Sequence, residues 1–489
     1  MAAAVLAGSC GFLALPAGAD APRVPVLAQK DDEDLLLPIG KGKAPAPAKE
    51  DDGDLLLPIR KAPAGNGEAA GDDLLLPAKK AAGEAKVDPA AAWRGFVQGE
   101  AAYAFRDPQH WSKAKLIVEL GRSGRLGAGI KWKVSGRAWY DGVFDIEDTF
   151  YPAEVRHDQR YRFQWRETYL DFAAGGLDWR IGRQHVVWGE MVTLFFADVV
   201  SARDLREFVL PDFDMLRIPQ WAVRAEYFRD DFHAEAVWIP VPTLDEIGRR
   251  GAEFYAFPPA TSPLLPPYGI LTEEKPGHRI GNSNVGLRAS MLAGGWDLAA
   301  FYYHSIDVQP TFYRMAGTNL FTARHGKIDQ LGATLAKDLG EYVLKGEAVY
   351  TQGRRFNVTR ALQPDGLVAS DTLDWIVGAD FTPFADGRFT VQLFQRYFTD
   401  HDPDMITDRS ETGLTLLVSG KPHRDVELQG LLIHSLNRAD WMFRPKLTWS
   451  VRKNWRWVFG LDLFKGPPTG LFGQYDLRDR IYTDLRYSF

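Results

Sequence analysis

"IYTDLRYSF" (481–489) ends the chain. Read at period two, Ile481, Thr483, Leu485, Tyr487 and Phe489 fall on one face, and Tyr482, Asp484, Arg486 and Ser488 on the other. Apolar/polar alternation held to the last residue is a strand signature, whereas chain ends ordinarily fray in polar tails. Two architectures fit the stretch. One is the edge strand of a soluble sheet. The other is the closing strand of a membrane-spanning barrel, which is apolar outside and polar inside. The rest of the chain decides between them.

The same alternation recurs from Trp93 onward in eighteen strand-like segments. In "KWKVSGRAWY" (131–140), Trp132, Val134, Gly136, Ala138 and Tyr140 alternate with Lys131, Lys133, Ser135, Arg137 and Trp139. In "WRWVFGLDLF" (455–464), Trp455, Trp457, Phe459, Leu461 and Leu463 alternate with Arg456, Val458, Gly460, Asp462 and Phe464. Charge therefore recurs in mid-strand on one face. A soluble sandwich turns its apolar face inward, while a barrel in lipid needs the reverse, with every backbone polar group paired by closure. Inner-face cations such as Lys131, Lys133, Arg137, Arg288, Arg396, Arg444, Lys446 and Arg486 are partly balanced by Glu100, Glu167, Asp171, Glu226, Glu347, Asp380 and Asp484, so no ion preference follows.

The connections sort by length. Short ones fall at 173–176, 229–231, 293–295, 337–340 and 452–454, several with the Gly or Asp of tight hairpins. Long ones run over 141–162, 184–220, 240–283, 304–327, 351–372, 399–409 and 465–477. Short turns on one rim and long loops on the other are the layout of an outer-membrane barrel. Tyr103, Phe105, Tyr140, Tyr227, Phe228, Tyr302 and Tyr397 near strand ends suit interfacial girdles. The expectation is an all-β, transmembrane antiparallel barrel of about 18 strands (16–18) over 93–489, in contact with outer-membrane lipid. Phe489 ends its closing strand, and a C-terminal Phe strand is the kind of signal read by barrel-assembly machinery.

Ahead of the barrel, 1–19 reads as an export signal, with Ala17-Gly18-Ala19 as a small-x-small cleavage site. Its Cys10 is the chain's single cysteine, so the exported part can hold no disulfide or thiolate metal site. Residues 20–92 contain no aromatic residue and are rich in Ala, Pro, Gly, Lys and Asp, the composition of a disordered periplasmic tail. Within it Leu35-Leu36-Leu37-Pro38 recurs as Leu55-Leu56-Leu57-Pro58 and Leu74-Leu75-Leu76-Pro77, each after acids and before bases. One reading is a duplicated linker. The other is a multivalent motif whose leucines fill a groove on a periplasmic partner, with repetition supplying avidity.

The segment 180–228 resembles a widespread Gram-negative outer-membrane family catalogued as a domain of unknown function. The resemblance rests on Arg180-Ile181-Gly182-Arg183-Gln184, Val187-Trp188-Gly189-Glu190, Asp198-Val199-Val200, Asp204-Leu205-Arg206-Glu207 and Arg217-Ile218-Pro219. It implies an exported barrel, often associated with resistance-nodulation-division exporters, with no known enzyme activity. Physically, 184–220 is a long loop dense in charge, with Arg180 and Arg183 on the strand before it and His185, Glu190, Asp198, Arg203, Asp204, Arg206, Glu207 and Arg217 within it. "SARDLREFVL" (201–210) has a Ser cap and helical spacing. A loop of this length can fold into the lumen and set the pore size.

Other chemistries find little footing. The net charge of -6 offers no basic field for nucleic acid. His185 near Glu190 reads as an ordered loop pair, and "TDHDPD" (399–404) as an exposed loop lacking the Gly-and-Glu pattern of a helix-loop-helix calcium site. No nucleophile elbow, phosphate loop or zinc spacing occurs. The sequence therefore predicts no enzyme, no cofactor and no metal. It predicts a porin-like channel, or the outer-membrane station of an exporter. The alternative is a non-conducting scaffold barrel whose tail recruits a periplasmic partner.

Overall fold

The computed structural model describes residues 93–489, apart from 190, 192–195, 256–257, 385 and 469. The expected export signal, the tail with its Leu-Leu-Leu-Pro copies, and Glu190 lie outside the described residues.

Eighteen strands form one sheet. In chain order they are β1 (Trp93–Ala104), β2 (His110–Arg125), β3 (Lys131–Asp141), β4 (Tyr161–Ala174), β5 (Leu177–Gln184), β6 (Gln220–Arg229), β7 (Phe232–Val241), β8 (Asn284–Ala293) and β9 (Trp296–Ile306). They continue with β10 (Lys327–Asp338), β11 (Tyr342–Gln352), β12 (Thr372–Phe381), β13 (Gly387–Phe398), β14 (Ser410–His423), β15 (Val426–Ser435), β16 (Asp440–Arg452), β17 (Trp455–Lys465) and β18 (Arg480–Ser488). Each pairs antiparallel with the next, and β1 pairs with β18 from Phe96↔Ser488 to Ala104↔Arg480. Gly95 and Phe489 then exchange both backbone hydrogen bonds at 2.9 Å. The sheet is a closed barrel with no free edge, which settles why "IYTDLRYSF" alternates to its last residue.

Every turn after an even-numbered strand is short and the loops after odd-numbered strands include all the long ones, as the sequence indicated. In the β4–β5 hairpin, Gly175 and Gly176 take φ 64° and 77°. A two-residue turn with positive φ at both positions matches the strand twist, and only glycine adopts it without strain.

The outer surface is apolar in mid-strand. On β2, Leu116, Val118 and Leu120 are exposed while Ile117 between them is 3% exposed. Exposed aromatics mark both rims: Tyr140, Tyr161, Trp165, Trp221 and Trp238 at the loop end, and Trp93, Tyr227, Trp449, Trp455 and Phe489 at the turn end. Phe228 departs from the expected girdle and stacks on His233 with ring centroids 4.3 Å apart.

The lumen is packed. Its main apolar cluster combines loop residues Val186, Trp188, Phe196, Leu205, Phe208 and Phe213 with the inner faces of β7, β9 and β11–β17. The predicted helix at 201–210 is absent. Ala202–Arg203 instead pairs with Arg217–Ile218 in a two-residue ladder, and a short helix spans Phe213–Leu216. The donors that a helix needs are taken elsewhere: Asp204 N–H by Leu216 O at 2.7 Å and Leu205 N–H by Glu246 O at 2.8 Å. Phe208, at φ 56°, also cannot continue a right-handed helix.

Candidate functional site

The loop 185–219 enters the barrel from the end of β5 and crosses to the far wall. Its first anchor is Trp188, 1% exposed. The indole packs 5.2 Å from the Phe301 ring and 5.7 Å from that of Tyr303, and its Nε1–H donates to Glu235 Oε1 on β7 at 2.9 Å. A β-carbon at position 286 on β8 would come within 2.5 Å of this indole, so Gly286 is what makes room for it. The second anchor is Glu347 on β11. Its two oxygens accept the backbone N–H groups of Met191 at 2.9 Å and Ala197 at 2.8 Å. Phe196 then approaches Phe394 on β13.

The middle of the loop is tied by its own charges. Asp198 lies between Arg203 at 3.4 Å and Arg217 at 3.3 Å, and Ser201 Oγ donates to it at 2.9 Å. The Arg217 guanidinium sits 3.6 Å from the centre of the Phe213 ring. Arg206 Nε donates to Asp204 at 2.8 Å, and Arg206 also reaches Asp158 O of the 142–160 loop. Arg203 N–H donates to Asp245 at 2.8 Å. Burial pushes the Asp245 carboxyl up to about 6. Such buried pairs are weak evidence for stability, but removing either partner leaves a buried charge without its counter-charge.

The far edge of the loop presents backbone carbonyls to wall cations. Arg444 on β16 donates to Leu210 O at 2.9 Å, Arg137 on β3 to Met215 O at 3.3 Å, and Arg166 on β4 to Arg217 O at 2.7 Å and Asp214 O at 3.0 Å. Glu207 meets Lys113 and Lys115 of β2. Those two ammonium groups hold its carboxyl far below the ordinary range against the opposing effect of burial. His185 lies beside Arg166. Burial, reinforced by Arg166 and Arg217, drives its imidazole well below its ordinary value, so it is neutral.

Two halves of the wall thus meet the loop differently. From β7 round to β15 the inner face carries apolar patches, with Val237, Ile239, Phe301, Val349, Leu417 and Ile433 buried, set among polar side chains such as Gln330, Thr334, Gln392 and Thr415. From β16 through β18 to β5 it is charged. Between that charged wall and the loop tip lies a polar cavity, lined by Glu100, Lys113, Asp212, Lys446, Arg480 and Asp484 among others. The Lys446 and Arg456 side chains each stand 4.0 Å from Asp212 at the tip.

The residues singled out from sequence take several positions. Asp198, Arg203, Asp204, Arg206, Glu207 and Arg217 come together as the loop's internal ties and its contact with β2. Arg180 stays on the wall, bonded to Asp171 at 2.6 and 2.9 Å. Arg183 shares the outward side of β5 with Ile181, opposite Trp221. Asp402 and Asp404 of "TDHDPD" are both held by Arg360, at 2.8 and 2.9 Å. The anchors Glu235 and Glu347 and the apolar patches of the wall carry no docking signal in the sequence reading. A trace of the patches lies in "LTLLVSG" (414–420) and "GLLIHS" (430–435), where the apolar run is continuous instead of alternating.

The family described as "Protein of unknown function (DUF1302)" matches residues 112–489, and the chain belongs to it. No curated protein matches the chain. Similar solved structures include Acinetobacter baumannii OccAB4, at 8% identity over 81% of this chain and 97% of that one, TM-score 0.47. Pseudomonas aeruginosa OccK2 (OpdF), solved with glucuronate, is 9% identical over 81% and 97%, TM-score 0.46. An anion-selective porin from Comamonas acidovorans is 13% identical over 81% and 99%, TM-score 0.38.

Proposed function

We propose that this DUF1302 protein is a channel of the Gram-negative outer membrane, a conduit and not a catalyst, whose passage is set by the loop 185–219. The observation that carries the reading is the loop's asymmetric seat. Its apolar side chains pack toward β7–β17, while its carbonyls and Glu207 are held by cations of β2, β3, β4 and β16, with a small polar cavity beside the tip. The solute path opens there when Asp212 at the loop tip parts from Lys446 and Arg456 of β16 and β17. The apolar exterior with aromatic rims supports residence in lipid. Purified protein in a planar bilayer tests the reading. Deleting 198–212 should raise the single-channel conductance of a barrel that still folds, judged by heat-modifiable migration. An unchanged conductance from that folded variant overturns it.

The dry apolar packing across the lumen favours a second reading, a plugged scaffold whose work is done by the tail. Silence in the bilayer from both wild type and the deletion variant would decide for it. A place beside a resistance-nodulation-division exporter follows from the family resemblance alone, and co-purification from membranes tests it.

A further inference from the structure

Below the infolded loop, near the turn-side rim, one oxygen each of Glu226 and Glu235 and one ring nitrogen of His233 lie within 4.8 Å of one another. We infer that these three side chains form a binding site for a divalent transition-metal ion on the lumen wall, and that the ion braces the root of the loop through Glu235.

All three ligands stand on rigid, paired backbone. Glu226 on β6 and Glu235 on β7 are direct cross-strand partners, and His233 is two residues before Glu235 on the same inward face. Each ligand residue also touches a second group that orients it, as side chains around bound metals usually do. Arg224 holds Glu226 Oε2 at 2.8 Å, while Oε1 faces His233 Nε2 at 3.2 Å. The Trp188 indole holds Glu235 Oε1 at 2.9 Å. The His233 ring lies flat on Phe228, with Nδ1 3.5 Å from Ser290 Oγ, which leaves Nε2 toward the carboxylates.

Charge points the same way. Asp178 on β5 is the cross-strand partner of Glu226, so Asp178, Glu226 and Glu235 make one row of acids over three adjacent strands. Directly opposed like charges destabilise a sheet. Arg224 and Arg288, the latter opposite Glu235, offset part of that repulsion, and a bound cation offsets the rest. Two carboxylate oxygens with one imidazole suit Zn2+, Co2+ or Mn2+, whereas Ca2+ and Mg2+ prefer oxygen alone. Water from the lumen completes the coordination.

The test uses the full chain in detergent micelles. Co2+ is titrated while its visible absorption is followed, and Zn2+ or Ca2+ is then added. Expected are a saturable spectrum at one ion per chain, displacement by Zn2+ at far lower concentration than by Ca2+, and affinity at least about tenfold weaker in His233→Ala and in Glu226→Gln. Both variants should keep heat-modifiable migration, because neither residue anchors the loop directly. Wild-type binding by folded His233→Ala, equal displacement by Ca2+, or no saturable spectrum would overturn the assignment and leave the row to its arginines.

Discussion

The carboxylate of Glu347 accepts the backbone N–H of Ala197 at 2.8 Å, joining a mid-barrel strand to a loop 150 positions earlier in the chain. With Met191 on the other oxygen, one wall side chain satisfies two buried donors of the loop. A buried donor left without a partner costs about 1–3 kcal/mol.

Glu347→Ala should therefore loosen the loop and spare the barrel. Amide hydrogen exchange is expected to quicken across 186–200 while the wall strands keep their protection. Equal exchange in variant and wild type would show that the loop is held elsewhere.

Trp188 and Gly286 should give one phenotype from opposite directions. Trp188→Ala removes a buried indole, at about 3–5 kcal/mol, and Gly286→Val puts atoms where the indole now lies. Both should increase conductance and current noise in bilayer recordings. If only one does, the shared contact is not what holds the loop root.

The buried neutral His185 makes docking of the loop pH-sensitive. Its docked value lies well below the ordinary one. A released loop therefore takes up a proton as pH falls through about 6.5, and the docked one does not. Stabilisation is complete above that pH and is lost on acidification. Asp245, raised by burial to about 6, acts in the opposite sense, because its docked form gains the proton first. The diagnostic is the difference between proteins: protection at 186–200, with the intrinsic pH dependence of exchange divided out, should fall less between pH 7.5 and pH 5 in His185→Gln than in wild type. Identical pH responses would remove His185 from the linkage.

Much of this was legible in the sequence, because a barrel wall is written at period two and its loops by length. Lys133, Ser135 and Arg137 turn inward and Val134 and Ala138 outward, as the alternation required. The interior of the lumen was less legible, since its contacts join residues far apart in the chain. Nothing near Glu347 predicts that it receives Met191 and Ala197. "SARDLREFVL" reads as helix until the backbone of Glu246 competes for its donors. Glu226, His233 and Glu235 sit on two strands, where motif spacing has no meaning until the register is known.

Inside and outside substitutions on β17 should fail differently. Phe459 faces out, and Phe459→Arg sets a charge in lipid at about 2–4 kcal/mol, so insertion should fall. Asp462, 0% exposed, joins Arg444 at 2.6 Å and Arg480 at 2.7 Å. Asp462→Ala removes the carboxylate that both cations share, at about 3–5 kcal/mol, yet should leave insertion intact and lower the thermal stability of the inserted barrel. Equal insertion yields for the two variants would contradict the face assignment.

For the tail, a pull-down from periplasmic extract with the 20–92 peptide should capture a partner. Replacing Leu35–Leu37 alone should weaken capture modestly, and replacing all three triplets should abolish it. Recovery of the same proteins by wild type and triple variant would reduce the repeats to a spacer.

Leu417 is 0% exposed and Val418, its neighbour, is 49% exposed. Both are aliphatic, but they obey different rules of replacement. Lipid tails flow into any shape, so position 418 should accept leucine, isoleucine or phenylalanine almost interchangeably. Position 417 fits against fixed neighbours, where a lost methylene leaves a hole and an added one forces a clash. A mutational scan over Leu416, Leu417 and Val418 should thus show tolerance falling and rising again with the face, although all three are aliphatic. In this barrel the outward-facing residue is the free one, and the residue packed inside the lumen is the one that cannot change.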